Sequence, residues 1–196
     1  GQRQQVLSIP PIDSSKCLVD GIDNSTSRIQ NSELGKRLTL LFVGDLMQHQ
    51  AQIDAARQPD GTYDYSHCFS LVKDNIGHAD LAIGNLEVTL GGKPYRGYPQ
   101  FSAPDEYLHA IHDAGFDILA TANNHSLDRR KRGLERTLTL ADSLGIPTVG
   151  TYRDSIDRQL RYPLIVEKNG VRIALLCATY GTNGIPATAP NIVNSL

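Results

Sequence analysis

The chain has 196 residues, 40% of them hydrophobic and 20% charged, which is the composition of a globular protein and excludes a disordered segment. A domain of this length buries roughly 70% of its unfolded surface, so it holds a core without disulfide or metal staples. The formal net charge of −2 gives no general attraction to nucleic acid, so no nucleic-acid partner is expected and any anionic ligand must meet a local patch.

Residues 1–36 are rich in Ser, Asn, Gln, Asp and Pro and read as an irregular N-terminal arm or an irregular lead-in strand outside the core. The regular pattern, and with it the domain at 37–196, begins after them. Residues 38–43 form a nearly continuous apolar run stopped by Gly44-Asp45, as expected of a strand buried on both faces. Further strands are expected at 79–83, 116–120 and 146–149, each stopped by Gly, Asn or Thr. Helices are expected between them, around 47–57, 66–76, 104–114 and 131–144. In the last, Leu134, Leu138 and Ala141 share one face. Strands alternating with helices imply an α/β fold with a parallel sheet. Residues 162–166 and 171–178 then read as a hairpin across Asn169-Gly170, a type I′ turn signal. The tail from 179 is rich in Gly, Asn and Pro, and a domain ending there is expected to be truncated at its C-terminus.

Three cysteines, Cys17, Cys68 and Cys177, are too scattered for a zinc ribbon or a disulfide framework, and Cys177 reads as a small core residue. No run of about 18 apolar residues exists and no secretory signal is visible in this chain. A nucleotide-binding reading fails because no G-x-G-x-x-G follows the first strand. A metal-free nucleophile is a weak reading, since its best pair is His67-Cys68, placed on or beside a helix.

Ligands of open α/β sheets sit outside the carboxyl ends of the strands. Here those ends carry Asp45 with His49 four residues on, then Asn85 and Glu87, then Asn124 and His125 with Asp128 three residues on. These are the hard oxygen and nitrogen donors that bind Mn, Fe, Zn or Mg. Each has a bland reading too. Asp45 and Asp128 could each cap a following helix, His49 and Glu87 could be solvated, and His125 could be a satisfied turn residue. Asp128 could instead hydrogen-bond His125 and fix its tautomer.

The motifs Gly44-Asp45-Leu46-Met47-Gln48-His49, Asn85-Leu86-Glu87 and Ala122-Asn123-Asn124-His125-Ser126-Leu127-Asp128 occur in order. Phe101-Ser102-Ala103-Pro104 and Tyr180-Gly181-Thr182-Asn183-Gly184 accompany them. Over about residues 37–194 this pattern resembles the poly-γ-glutamate capsule biosynthesis protein family, CapA, within the calcineurin-like metallophosphoesterases. The resemblance implies an αββα sandwich with divalent metal ions (Mn, Fe or Zn), two in a complete site. It makes Asp45, Glu87 and Asn124 metal ligands, with His49 a weaker one, and His125 the acid, supported by Asp128. Two ions about 4 Å apart activate water and clamp a phosphoryl oxygen, while a neutral imidazole donates to the leaving oxygen.

Asn85 and Asn183, which lie in the quoted motifs, fall on the substrate side, as do Arg96 of the Gly/Pro-rich loop 91–99 and the pair Arg129-Arg130. The run Arg129-Arg130-Lys131-Arg132 puts four positive charges at a helix N-terminus, where cations are disfavoured. It reads either as a solvated basic face or as an attractor for an anionic polymer or phosphoester. The family pattern continues to a His-x-Gly-x-Glu-like motif that this chain lacks, so its metal site is expected to be incomplete. Two functions follow: a metal-dependent phosphoesterase-type hydrolase, or a non-catalytic envelope component for polymer binding, assembly or export. Both imply the cell envelope and association with membrane-bound polymer synthesis machinery. Oligomeric state is left open.

Overall fold

The computed structural model describes residues 7–8 and 37–196, so most of the N-terminal arm lies outside the described residues. The backbone of Leu7–Ser8 (β1) pairs in parallel with Leu164–Lys168 (β7), which pairs antiparallel with Val171–Leu175 (β8). Asn169 and Gly170, with φ of 53° and 69°, form the turn between β7 and β8, as the Asn-Gly signal requires.

A second sheet is wholly parallel. Its order is Leu40–Leu46 (β2), Leu81–Leu86 (β3), Ile118–Ala120 (β4) and Thr148–Val149 (β5). The short helices Gln50–Ala56 (α1) and Lys73–Gly77 (α2) connect β2 to β3. Asp105–Ala114 (α3) connects β3 to β4, and Arg130–Ser143 (α4) connects β4 to β5. Thr151–Tyr152 (β6) pairs antiparallel with Ile192–Val193 (β9), and Ser155–Arg161 (α5) precedes β7.

The period-2 alternation of β3 divides the interior. Ala82 and Leu86 join Leu108, Ile111 and Phe116 in a core under the helices. Leu81 and Ile83 pack with Ile118 and Val149 against Leu164 and Val166, joining the two sheets face to face. A helix layer on one sheet, backed by a second sheet, is thus the architecture.

Several expectations change. Among the described residues β2 is an edge strand, with Leu40 37% and Phe42 65% exposed, rather than a strand buried on both faces. It also runs past Gly44-Asp45 to Leu46, because a register shift leaves Gly44 out of the pairing. The helix expected at 66–76 is a series of turns followed by α2, since Leu71 and Val72 face solvent and offer no apolar stripe. The α5 helix was not expected. Asp154 caps it by accepting from the Ile156 and Asp157 amides, and none of its residues is buried. Cys177 is half-buried against the inter-sheet core, and its thiol approaches the Ala122 carbonyl at 3.6 Å.

Candidate metal and acid–base site

The Gly44 bulge builds the first half of the site. Without it Asp45 would follow Leu41 and Val43 toward the helix-side core. The extra residue instead pairs Asp45 with Asn85 and turns Leu46 into that core. Asp45 is therefore a strand residue and not a helix cap. His49 is the N-cap of α1, its backbone N–H donating to Gln52 Oε1 at 2.7 Å.

Asn85 donates from Nδ2 to Asp45 Oδ1 at 2.9 Å and to Glu87 Oε2 at 3.0 Å. One amide thus holds two carboxylates side by side. Burial, and then the hydrogen bonding and repulsion of Asp45, push the Glu87 carboxyl up to about 7. Such a pair is short of positive charge, and that is the property a hard divalent cation would satisfy.

The second half is buried. Asp128 (4% exposed) is not the cap of α4, whose N-cap is Arg129. Its Oδ2 accepts from the Phe101 amide at 2.7 Å and from His125 Nδ1 at 2.8 Å. Burial raises the Asp128 carboxyl above its ordinary range, with these two donors pulling the other way. An oxygen that already accepts a backbone N–H places the shared proton on Nδ1. His125 Nε2 is then an acceptor while the ring is neutral and donates only from the imidazolium. Phe101, fully buried, meets His125 edge-on at 4.7 Å and His49 at 5.1 Å between ring centroids.

A cavity of about 480 Å³ opens over this half, lined by Tyr98, Gln100, Asn124, His125, Asp128 and Asn183 among others. Asn124 is exposed there, and Asn183 Nδ2 lies 3.4 Å from His125 Nδ1. Arg96, Arg129 and Arg130 do not line it. The backbone of Arg96 pairs with Ser102, and its side chain is exposed. The Arg129 stem is wedged between glycines, since a Cβ at Gly91 or Gly133 would lie 2.7 or 2.3 Å from it. Arg130 is exposed, at φ 53°.

The sequence missed Asn123 and Phe101. Asn123 is buried where its neighbour Asn124 is exposed, and two identical letters carry no signal of which one turns inward. Phe101 is placed by the loop after β3, and only its own motif pointed to it. Among the described residues no group of three or more His, Cys, Asp and Glu side chains is assembled for an ion. What the chain gathers is a carboxylate pair, whose oxygens suit one hard cation, beside amides whose own oxygens are already engaged.

The sequence profile of the bacterial capsule synthesis protein PGA_cap family matches residues 39–194, and the chain belongs to that family. It is similar to the capsule biosynthesis protein CapA of Bacillus anthracis, 26% identical over 148 residues, which cover 72% of this chain and 34% of that protein. An uncharacterized protein of Sinorhizobium fredii, y4uA, is 27% identical over 72% of this chain and 30% of its own length. A second, y4sH, is 30% identical over 57% of this chain and 26% of its own length. The match thus spans about a third or less of these relatives' length. No helix among the described residues is long and apolar enough to cross a membrane.

Proposed function

We propose that this chain carries the strand-end half of a metal-dependent, phosphoesterase-type hydrolytic centre serving capsule or envelope polymer metabolism. The observation that carries it is the convergence of the Asp45–Glu87 pair and the His125–Asp128 dyad at adjacent strand ends, linked by the Asn85 and Asn123 side chains and by the His125 backbone N–H. Asp45 and Glu87 would hold a divalent cation (Mn, Fe or Zn), with Asn124 and His49 as further candidate ligands. A cation there supplies Lewis acidity toward a phosphoryl or carbonyl oxygen. A two-ion centre needs more ligands than the described residues gather.

His125 acts from Nε2. Its neutral ring takes a proton at that atom from the attacking water, and Asp128 stabilises the imidazolium that forms, which then gives the proton to the leaving oxygen. Phe101 walls the ring and lowers water access. Asn183 and Tyr98 contact substrate in the cavity, while Arg129, Arg130 and Arg96 guide an anionic polymer or phosphoester from outside it. In this reading the face-to-face sheets under a helix layer would be three of the four layers of an αββα sandwich. Family membership supports an envelope role, and the reading adds association with membrane-bound polymer synthesis machinery.

Metal analysis of the purified chain and of an Asp45→Ala, Asn124→Ala double variant tests the reading. Stoichiometric Mn, Fe or Zn in the parent, absent from the variant, is expected. No metal in either, even after Mn is added, removes it.

A further inference from the structure

Asn123 lies between the two halves of the site and is 7% exposed. Its Oδ1 accepts the backbone N–H of His125 at 3.0 Å. Its Nδ2 donates to the Leu86 carbonyl at 2.9 Å and to Asn85 Oδ1 at 3.1 Å. The first two contacts are with backbone groups whose polarity is fixed: an N–H can only donate and a carbonyl can only accept. They leave the Asn123 amide a single orientation. That orientation presents an N–H to Asn85, so the facing atom of Asn85 must be its oxygen. The Asn85 NH2 is then the group directed at Asp45 and Glu87, with one hydrogen for each.

Every donor in this relay points the same way, from the His125 backbone to the carboxylates, an arrangement in which each bond polarises the next. The two carboxylates accept from the same Asn85 NH2, and the Asn123 N–H on Asn85 Oδ1 locks that orientation from the opposite side. With its amide reversed, the oxygen would face two carboxylates and the NH2 would face the Asn123 NH2, so both sides reject it.

We infer that Asn123 is a positioning residue: it orients the Asn85 amide and, through it, holds Asp45 and Glu87 together for a cation while anchoring the loop that carries His125. The inference rests on the reading of Asp45 and Glu87 as cation ligands. It requires that Asn123 act on the cation through Asn85 rather than by general support of the fold. Substitution of either amide lets the two carboxylates move apart, so cation binding weakens. Substitution of both adds nothing further, because the second removes a link already broken.

Mn2+ affinity, measured by calorimetry on the full chain, tests this in four forms: parent, Asn85→Ala, Asn123→Ala and the double variant, each with its thermal midpoint recorded. Each single change is expected to weaken Mn2+ binding 5–20-fold, equivalent to about 1–2 kcal/mol, and the double variant to match the weaker single. Effects that multiply in the double variant overturn the inference, as does an Asn123→Ala chain with parental affinity. Should Asn123→Ala fail to fold, Asn123→Ser takes its place, because a hydroxyl still satisfies one backbone partner. A parent chain that binds no Mn2+ sinks the hydrolase reading itself and is told apart from both results by needing no variant.

Discussion

The two halves of the site are built by opposite means. The His125 half is buried, and its polar groups are held by backbone partners: the Phe101 N–H on Asp128, the Leu86 carbonyl and the His125 N–H on Asn123. The Asp45 half rides on an edge strand with an exposed carboxylate and an uncovered Phe42. One half is fixed by hydrogen bonds it cannot lose without cost. The other is a repelling pair tethered by one amide. Acid–base groups that must keep one tautomer gain from rigidity, whereas ligands that wrap an ion tolerate adjustment. The sharpest test of this contrast is to remove one aspartate from each half.

Asp128→Ala leaves the fully buried Phe101 N–H and His125 Nδ1 without their acceptor, which costs ~2–4 kcal/mol. Asp45→Ala removes an exposed charge that repels Glu87 and should change stability by no more than about 0.5 kcal/mol. Urea denaturation of both variants gives the comparison. Equal losses in the two would mean the halves are built alike.

The edge position of β2 yields the next effect in size. A parallel edge with an exposed Phe42 is a template for pairing with another copy. The chain is expected to associate in sedimentation velocity at high micromolar concentration, and Phe42→Lys to return it to monomer with little loss of stability. Identical sedimentation of both proteins as monomers would show that the edge is already protected.

How much of this was legible depended on whether the signal was local. The apolar runs of β2 to β5, the α4 stripe and the Asn169-Gly170 turn are short-range patterns, and the structure follows them to within a few residues. The strand-end clustering of Asp45, Glu87 and His125 was readable because parallel topology sends every strand's carboxyl end to the same rim. The Gly44 bulge was not readable. It depends on the register of β2 against β3, a pairing 40 residues apart, and that register decides which face Asp45 takes. The inward turn of Asn123 and the Phe101 contact to Asp128 are likewise tertiary, since neither residue's neighbours state its partner. The α5 helix did carry a local signal in its Asp154 cap, but it lacks the buried stripe by which helices are recognised.

The smallest predicted effect probes the carboxylate pair by pH. Glu87 titrates near 7 in the folded chain, against an ordinary value of 4.5. Between those two values the folded state holds a proton that the unfolded state has released, so stability falls as pH rises through that window and levels off above about 7. Glu87→Gln keeps an oxygen for the Asn85 NH2 but cannot ionise. Its thermal midpoint should match the parent near pH 4.5 and exceed it at pH 8. The gain should be on the order of 1–2 °C once the solvent reaching this half-buried group is allowed for. Mn2+ should reverse the order at pH 8, because a bound cation favours the ionised pair that the glutamine cannot restore. A parent and variant whose midpoints stay parallel from pH 4.5 to 8 would mean that Asp45 and Glu87 do not feel each other. The loosely tethered half of the site would then have no unmet charge for a cation to answer.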